Sequence, residues 1–230
     1  MVSQKLWTGE NGMKAPDSPI DLQKFLPQLV KEGILAKNGC ASVKIGKSIW
    51  ITPKKADLNT LGKKTKNALL EIPLEGNQIF PKDIPDEAAQ HLSLYLARPE
   101  FSVIFHSTQE NVMTCSMAGE TVRPYLDDMA QIVGPNAKVV PNSSDEKGLK
   151  KIVSAIGRRN AVYLQNSGAL CAHKSLDDAH AVCMVLEKAS KAFVESRILG
   201  GGKPVPWLEA EAIRFVYQRK YSKQAEKNRG

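Results

Sequence analysis

A short amphipathic helix followed at once by a buried strand is the feature of this sequence that most constrains its fold. In residues 86–96 the apolar positions 88, 92, 95 and 96 recur at helical spacing, and Pro99 requires the helix to end before it. Residues 101–105 are rich in aromatic and β-branched side chains, which is typical of a strand buried in a sheet. This succession predicts a mixed α/β fold, in which the ends of strands commonly carry the chemistry.

This pattern places three polar residues near one end of the predicted strand. Glu87 and His91 are four positions apart, so their side chains project from neighbouring turns of one helix. His106 follows the buried strand directly, and we therefore expect Glu87 and His106 to meet in one cleft. Each residue also has an ordinary explanation: an acid in the first turn of a helix, a half-buried helix residue, and a hydrogen-bonded histidine at a strand end.

The remainder of the chain alternates between predicted helices and strands. Ser18 has the position of a helix cap, and Pro27 inside the following apolar stripe predicts a kink or a break. Gly46 and Lys47 separate two strand-like segments as a two-residue hairpin turn, so antiparallel neighbours are expected in the sheet. The other predicted strands are 68–74, 138–140 and 161–165, and the other predicted helices are 109–118, 125–132, 146–156, 175–196 and 206–221.

Composition and charge exclude several classes of protein. With 230 residues, 42% of them hydrophobic, the chain can bury one sizeable core, which favours a single domain. We expect a cytoplasmic protein that is neither secreted nor inserted into a membrane, because no apolar run has the length of a signal peptide or of a bilayer span. The net charge of +8 is spread along the chain without interleaved aromatic residues, so nucleic-acid binding is not expected.

The four cysteines indicate neither a disulfide framework nor a redox motif. No two of them have the Cys-x-x-Cys spacing, and we expect all four to be reduced; they are Cys40, Cys115, Cys171 and Cys183. The segments 171–173 and 180–183 together contain two cysteines and two histidines, a set that suits a structural zinc site. Burial in a strand and on the inner face of the next helix explains these residues more simply, and we favour that interpretation.

Four motifs in this sequence resemble the class II aldolase/adducin family, which includes fuculose-phosphate and rhamnulose-phosphate aldolases and ribulose-phosphate 4-epimerase. The matching segments are an acidic residue that opens a helix, a turn before a strand, a strand that ends in histidine, and a later strand end before a long helix. In this sequence they are Pro85-Asp86-Glu87, Ala97-Arg98-Pro99, His106-Ser107-Thr108 and Asn166-Ser167-Gly168. The resemblance extends from about residue 20 to about residue 220.

The resemblance implies a fold, an assembly and a class of ligand. The implied fold is a three-layer α/β/α arrangement around a central, predominantly antiparallel sheet, formed by residues 18–230, with residues 1–17 as an N-terminal extension. The implied assembly is a homotetramer with its active sites at subunit interfaces. The implied ligand is a carbohydrate-like small molecule, which would place the protein in carbohydrate metabolism.

The zinc site of the family is only partly represented, so the metal site is degenerate. Family enzymes hold zinc through three histidines, and an acidic residue, here Glu87, is a ligand at rest and the acid/base in the reaction. Only His106 retains an imidazole, while Thr108 and Ser167 occupy the other two ligand positions. A catalytic zinc needs about three strong protein ligands, and a neutral hydroxyl is a poor substitute for an imidazole. We therefore expect no cofactor, and weak binding of zinc or another divalent metal is the alternative.

The phosphate-binding segments of the family have changed as well. The Gly-Asn-x-Ser loop corresponds to residues 39–42, and the Thr-Pro-Ser-Gly turn corresponds to residues 52–55. The two serines before the acidic residue have become Pro85 and Asp86, and the aspartate repels a phosphate at a helix start that otherwise favours one. Lysines in the second segment still attract anions as point charges. The candidate substrate-binding residues are Gly39, Cys40, Lys54, Lys55 and His91.

Two functions are compatible with these residues. The first, which we favour, is a divergent family member that lacks the usual zinc-dependent lyase activity and has a ligand-binding, regulatory or assembly role. The second is an active aldehyde-lyase or epimerase on a sugar or sugar-phosphate-like substrate, with Glu87 as the acid/base and His106 as an electrophile or single metal ligand. The second function also requires a group that stabilises an enediolate, and the motifs supply a base but no convincing stabiliser.

Overall fold

The computed structural model describes residues 14–75 and 81–227 of the chain, so the predicted N-terminal extension lies mostly outside the described residues. These residues form seven strands, seven α-helices and one π-helical turn. The strands are β1 (Ala41–Ile45), β2 (Ser48–Ile51), β3 (Leu70–Pro73), β4 (Val103–Ser107), β5 (Val139–Val140), β6 (Ala161–Leu164) and β7 (Gly168–His173). The helices are α1 (Pro19–Lys31), α2 (Leu58–Gly62), α3 (Ala88–Ala97), α4 (Glu110–Ala118), α5 (Glu146–Ile156), α6 (Leu176–Ile198) and α7 (Trp207–Lys227), and the π-helical turn is Met129–Val133.

The strands form one sheet in the order β3-β2-β1-β4-β7-β6-β5. Every pairing in this sheet is antiparallel except that of β5 with β6. The predicted hairpin is present, because Gly46 has φ +59° and joins β1 to β2 with Ile45 opposite Ser48. The prediction of a predominantly antiparallel sheet is therefore confirmed.

Side chains of the central strand β4 enter two separate hydrophobic cores. Val103 and Phe105 belong to a core that includes residues of α1, α2, α4 and α6. Ile104 belongs to a second core that includes residues of α3 and α5. Because successive side chains of a strand point to opposite faces, helices cover both faces of the sheet. The arrangement is the three-layer α/β/α fold that the resemblance implied, and it explains why the segment before His106 is so apolar.

Three segments differ from the sequence-based prediction. Helix α1 continues through Pro27 without a break, and this proline packs against Gly62 of α2, where an added Cβ would lie 2.4 Å from the proline Cγ. The helix predicted over 125–132 is instead a π-helical turn, in which the amide of Gly134 donates to the carbonyl of Met129 at 2.8 Å. The segment 166–168 lies in the turn between β6 and β7, so a strand follows it rather than a long helix.

The turn between β6 and β7 depends on two unusual backbone conformations. Asn166 has φ +59° and Gly168 has φ +90°, both in a region that L side chains rarely adopt. A Cβ atom on Gly168 would lie 2.1 Å from the carbonyl oxygen of Ser107, so the glycine allows β7 to approach the end of β4. This close approach places Ser167 beside His106, at the edge of the sheet where the candidate site lies.

The cysteine and histidine segments that resembled a structural zinc site contribute to packing between elements. All four cysteines are buried and free, as predicted. His173 at the end of β7 pairs with Asp178 of α6 at an Nδ1–Oδ2 distance of 3.1 Å. His180 of α6 pairs with Glu32 beyond the end of α1. These contacts connect the sheet and α1 to one helix.

Helices α6 and α7 are the longest in the structure, with 23 and 21 residues. Ser175 caps α6, since its hydroxyl accepts a hydrogen bond from the amide of Asp178 at 3.1 Å. Both helices are amphipathic or polar rather than uniformly apolar. Within the residues that the structure describes, no helix combines the length and the apolar character needed to cross a membrane.

Candidate functional site

The candidate site lies where the end of β4, the turn between β6 and β7, and the start of α3 meet. Glu87 is the residue before α3, and its side chain makes no capping hydrogen bond to the helix. The carboxylate is one-third exposed, and its Oε1 lies 3.8 Å from Nδ1 of His106. The two side chains therefore face each other, and we call the place where they meet the Glu87–His106 cleft.

Hydrogen bonds fix the imidazole ring of His106. Nε2 lies 2.5 Å from the carbonyl oxygen of Ser167, which can only accept, so Nε2 carries the proton. In the neutral ring Nδ1 is then the unprotonated nitrogen, and it points towards Glu87. Burial lowers the pKa of His106, while the Ser167 carbonyl and the Glu87 carboxylate act in the opposite direction. At 3.8 Å the carboxylate and the ring are too far apart for a direct hydrogen bond, so Glu87 acts on the ring through its charge.

His91 lies beneath the cleft and has no exposed surface. Its Nδ1 is 2.7 Å from the Ser42 hydroxyl, which is in turn 2.9 Å from the Tyr95 hydroxyl, and its Nε2 is 3.7 Å from Sγ of Cys40. Burial, with the nearby charge of His106 as a second cause, lowers the pKa of His91 to about 3, so the ring is neutral at pH 7. His91 supports the floor of the cleft in this structure, and its role in substrate binding stays a prediction.

Gly39 and Cys40 form the part of the floor that precedes β1. The thiol of Cys40 is 4% exposed, and burial, followed by the charge of Glu87, raises its pKa well above the usual value. The hydroxyl of Thr52 donates to the carbonyl of Gly39 and accepts from the amide of Ala41, both at 3.2 Å. Two backbone groups of the loop that corresponds to the family's phosphate loop are therefore already bonded within the protein.

The two lysines of the second predicted binding segment have different surroundings. Nζ of Lys54 lies 2.7 and 2.8 Å from the two carboxylate oxygens of Asp86. The neighbouring Lys55 is exposed and has φ +61°, a turn conformation that directs the chain away from β2 towards α2. An anion at this place would have to compete with the Asp86 carboxylate for Lys54.

The donor set around His106 does not suit a catalytic zinc ion. Thr108 is half-buried, with its amide bonded to the carbonyl of Ile34 at 3.0 Å, and the Ser167 hydroxyl lies 3.4 Å from Nε2 of His106. The donors that the structure places beside His106 are its own imidazole, through the unprotonated Nδ1, the Glu87 carboxylate, and the neutral hydroxyl of Ser167. Among residues 14–75 and 81–227, no three His, Cys, Asp or Glu side chains are grouped to hold a metal ion. Catalytic zinc sites contain three strong protein ligands.

The sequence motifs did not indicate the supporting role of Glu187. This residue of α6 accepts hydrogen bonds from the amides of Asn111 and Val112 at 3.2 and 2.9 Å, and from the Asn111 side chain at 2.6 Å. Its carboxylate thus caps the start of α4, which follows His106 after a short connection. A contact across more than seventy residues leaves no local signal, so only the structure identifies it.

Known proteins are similar to this chain in sequence and in fold. The family model described as the class II aldolase and adducin N-terminal domain matches residues 29–194. The L-fuculose phosphate aldolase of Methanocaldococcus jannaschii is 27% identical over 165 residues, which cover 69% of this chain and 84% of that protein. Among solved structures, an L-fuculose 1-phosphate aldolase has a TM-score of 0.78 at 20% identity, with 90% of this chain and 98% of that chain covered. The L-fuculose-1-phosphate aldolase of Thermus thermophilus has a TM-score of 0.64 at 19% identity, with 80% and 95% covered.

These similarities agree with the three-layer fold of the described residues. The solved structures establish the fold, since the sequence identities to them are low. The family model covers more than half of the chain, from α1 to α6. This chain belongs to the class II aldolase and adducin family.

Proposed function

We propose that this chain binds a small carbohydrate-like ligand in the Glu87–His106 cleft and lacks the zinc-dependent carbon–carbon lyase activity of the aldolases in its family. The observation that carries the proposal is the set of groups beside His106: its unprotonated Nδ1 faces one carboxylate, that of Glu87, at 3.8 Å, and the family's other two ligand positions hold the hydroxyl residues Thr108 and Ser167. With hydroxyls at Thr108 and Ser167, the cleft offers hydrogen-bonding groups rather than a set of metal ligands. A regulatory or assembly role is the function that suits such a binding protein.

A polyhydroxylated ligand matches the chemistry of the cleft. The Glu87 carboxylate and Nδ1 of His106 accept hydrogen bonds, and the hydroxyls of Thr108 and Ser167 both donate and accept. Relatives named as fuculose phosphate aldolases support a sugar as the class of ligand. Because Lys54 is already paired with Asp86, we propose that a phosphate group adds little to binding in this cleft.

Calorimetry with fuculose and fuculose 1-phosphate, combined with an aldehyde-release assay in the presence of zinc, tests the proposal. We expect saturable binding of fuculose, weakened about tenfold by Glu87→Gln because a charged hydrogen-bond acceptor is lost. Glu146→Gln, at an exposed glutamate of α5, is the matched control and should bind normally. No aldehyde should be released from fuculose 1-phosphate. Zinc-dependent turnover that Glu87→Gln abolishes would contradict the proposal.

A second function is favoured by the 3.8 Å distance between Oε1 of Glu87 and Nδ1 of His106. In this alternative the chain is an active aldehyde-lyase or epimerase, in which Glu87 removes and returns a proton beside the carbonyl group of a sugar. This alternative lacks a group that stabilises the negative charge of an enediolate. Burial lowers the pKa of His106 and leaves a neutral ring near the developing charge. Exchange of a sugar C–H hydrogen with deuterated water, lost in Glu87→Gln, would favour this function.

The family resemblance also supports a homotetramer located in the cytoplasm. Exposed apolar side chains at the end of α6 and along α7 are candidates for a subunit contact, since grouped exposed apolar residues often mark interfaces. They are Ile198, Leu199, Trp207, Leu208 and Val216, with exposures between 61% and 85%. Light scattering during size-exclusion chromatography should give the mass of four 25.2 kDa chains, and a single-chain mass would contradict the assembly.

A further inference from the structure

A second cavity lies at the opposite edge of the sheet from the Glu87–His106 cleft. Strand β4 pairs with β7 from Val103, opposite His173, to Ser107, opposite Ala169. The Glu87–His106 cleft lies at the Ser107 end of β4, and the second cavity lies towards the Val103 end. The cavity has a volume of about 410 Å³ and lies between α7 and the residues that precede β6. We call it the arginine cavity, because Arg158, Arg159 and Arg214 line it together with Glu211 and Phe215.

Arg214 forms the buried part of the arginine cavity. The residue is only 5% exposed, and its terminal nitrogens donate to the carbonyl oxygens of Gln131 at 3.2 Å and Arg158 at 2.7 Å. These carbonyls orient the guanidinium group without neutralising its charge. Burial and the charges of nearby arginines, of which Arg98 is the strongest, lower the pKa of Arg214 to about 10, while Glu211 acts in the opposite direction. The group is therefore rigid, desolvated and surrounded by like charge.

The other two arginines are also without a carboxylate partner in direct contact. Nε of Arg159 donates to the side-chain carbonyl of Asn136 at 2.6 Å, and Arg158 is exposed at the mouth of the cavity. In the described part of the chain, the arginine ion pairs within 4.0 Å are Arg98 with Glu100 and Arg197 with Glu120. Three positive groups thus face one cavity whose wall contains a single carboxylate, that of Glu211. A cavity of this kind attracts anions.

An aromatic side chain completes the wall. Phe215 lines the cavity and is 51% exposed, so its ring is accessible to a ligand. The guanidinium carbon of Arg219 lies 4.3 Å from the centroid of this ring, which adds a fourth positive charge at the mouth. Aromatic rings and guanidinium groups both stack on planar ligands.

We propose that the arginine cavity binds a phosphate monoester that carries a planar ring. Arg158, Arg159 and Arg214 hold the phosphate, and Phe215 contacts the ring. Guanidinium groups remain charged at all physiological pH values and match phosphate oxygens in paired hydrogen bonds, which favours phosphate over other small anions. The volume lies within the usual range for small-molecule sites. The cavity is separate from the Glu87–His106 cleft, so occupation of one site does not require the residues of the other.

Calorimetry with phenyl phosphate and with inorganic phosphate tests this site. Phenyl phosphate should bind saturably and more tightly than inorganic phosphate, and more weakly as salt is raised. Arg158→Ala removes an exposed side chain and should weaken binding of both probes about tenfold, because one charged hydrogen-bonding group is lost. Glu211→Gln should strengthen binding several-fold, since it removes the single carboxylate of the wall. Phe215→Leu should weaken phenyl phosphate alone.

Two control variants separate this site from the cleft and from general charge. Arg123→Ala removes an exposed arginine that does not line the cavity, and Lys54→Ala alters the cleft, so neither should change phosphate binding. The thermal midpoint of each variant shows that it is folded. The proposal is overturned if phenyl phosphate does not bind below about 1 mM, if Arg123→Ala weakens binding as much as Arg158→Ala, or if Lys54→Ala weakens binding and Arg158→Ala does not.

Discussion

Charged groups are paired differently at the two ends of the central strand β4. In the Glu87–His106 cleft, Lys54 is paired with Asp86 and Glu87 faces His106. In the arginine cavity, the guanidinium groups of Arg159 and Arg214 contact amide and carbonyl oxygens, and one carboxylate lies on the wall. The difference shows that the charges of one site can be paired within the protein, while another place on the same fold retains positive charge without a carboxylate in direct contact.

In the floor of the cleft, polar side chains are likewise bonded to other groups of the protein. The neutral ring of His91 is held between Ser42 and Cys40, and Tyr95 closes the network from α3. Such a buried network is rigid when every member is bonded. We therefore expect substitutions in the cleft to affect stability, whereas substitutions in the arginine cavity should mainly affect ligand binding.

The largest effect on stability is expected at the turn that brings Ser167 to His106. Gly168→Ala should lower the free energy of unfolding by about 3 kcal/mol or more, because its Cβ would lie 2.1 Å from the Ser107 carbonyl at φ +90°. Gly46→Ala is the matched control, since Gly46 has φ +59° and no atom within 4 Å, and should cost about 1 kcal/mol. Urea unfolding measures both. Equal losses in the two variants would show that the cleft is not tightly built at this point.

The next effect concerns acid stability. The folded-state pKa of His91 is lowered to about 3 from an unfolded value of 6.5, so below pH 6.5 the unfolded state binds more protons than the folded state. His91 should therefore contribute stability that is full above pH 6.5 and is lost as the pH falls towards 3, amounting to about 2 kcal/mol between pH 7 and pH 5. Urea unfolding at these two pH values should show the loss in the wild type.

A pair of histidine variants isolates this contribution. His91→Gln should reduce the difference between pH 7 and pH 5, even if it lowers stability at both. His180→Gln removes an imidazole outside the cleft and is the comparison, and the reduction of that difference should be largest in His91→Gln. A pH dependence that survives unchanged in His91→Gln would mean that His91 titrates normally in the folded protein.

Much of the fold was predictable from local patterns in the sequence. The bounds of α5 agree with the prediction, because Glu146–Ile156 has strong amphipathic spacing and a capping aspartate. Strand β7 was not predicted, because the sequence motif at 166–168 indicates a strand end before a long helix, and the left-handed conformation of Asn166 that turns the chain into β7 is not specified by the polar sequence alone. Of the kink or break predicted at Pro27, the break is absent, since α1 runs from Pro19 to Lys31 through the proline.

The candidate site was predictable only in part. Sequence spacing placed Glu87 and His106 near each other, and the structure brings them to 3.8 Å. Three other features of the site involve residues far apart in the chain, so local patterns did not indicate them. They are the contact of His91 with Ser42, the pairing of Lys54 with Asp86, and the contact of Glu187 with α4. The net charge of the sequence did not predict the arginine cavity, because the positive residues that form it come from two segments more than fifty residues apart.

The smallest effect on stability is expected for the exposed ion pair beside the cleft. A double-mutant cycle with Lys54→Ala and Asp86→Ala should give a coupling energy of about 0.2–1 kcal/mol, because the Asp86 side chain is 81% exposed and solvent screens the attraction. The coupling should decrease at high salt. A coupling of several kcal/mol would mean that the pair is an essential part of the cleft rather than a mutual neutralisation of two surface charges.

The metal content of the protein tests the central claim most directly. We predict that protein purified without chelators holds no stoichiometric zinc by elemental analysis, because His106 is accompanied by hydroxyls where catalytic zinc requires further strong ligands. His106→Ala and the control His180→Ala should both leave the measured zinc unchanged. One zinc per chain that is retained in His180→Ala and disappears in His106→Ala would contradict the account and restore a zinc-dependent reaction in the Glu87–His106 cleft.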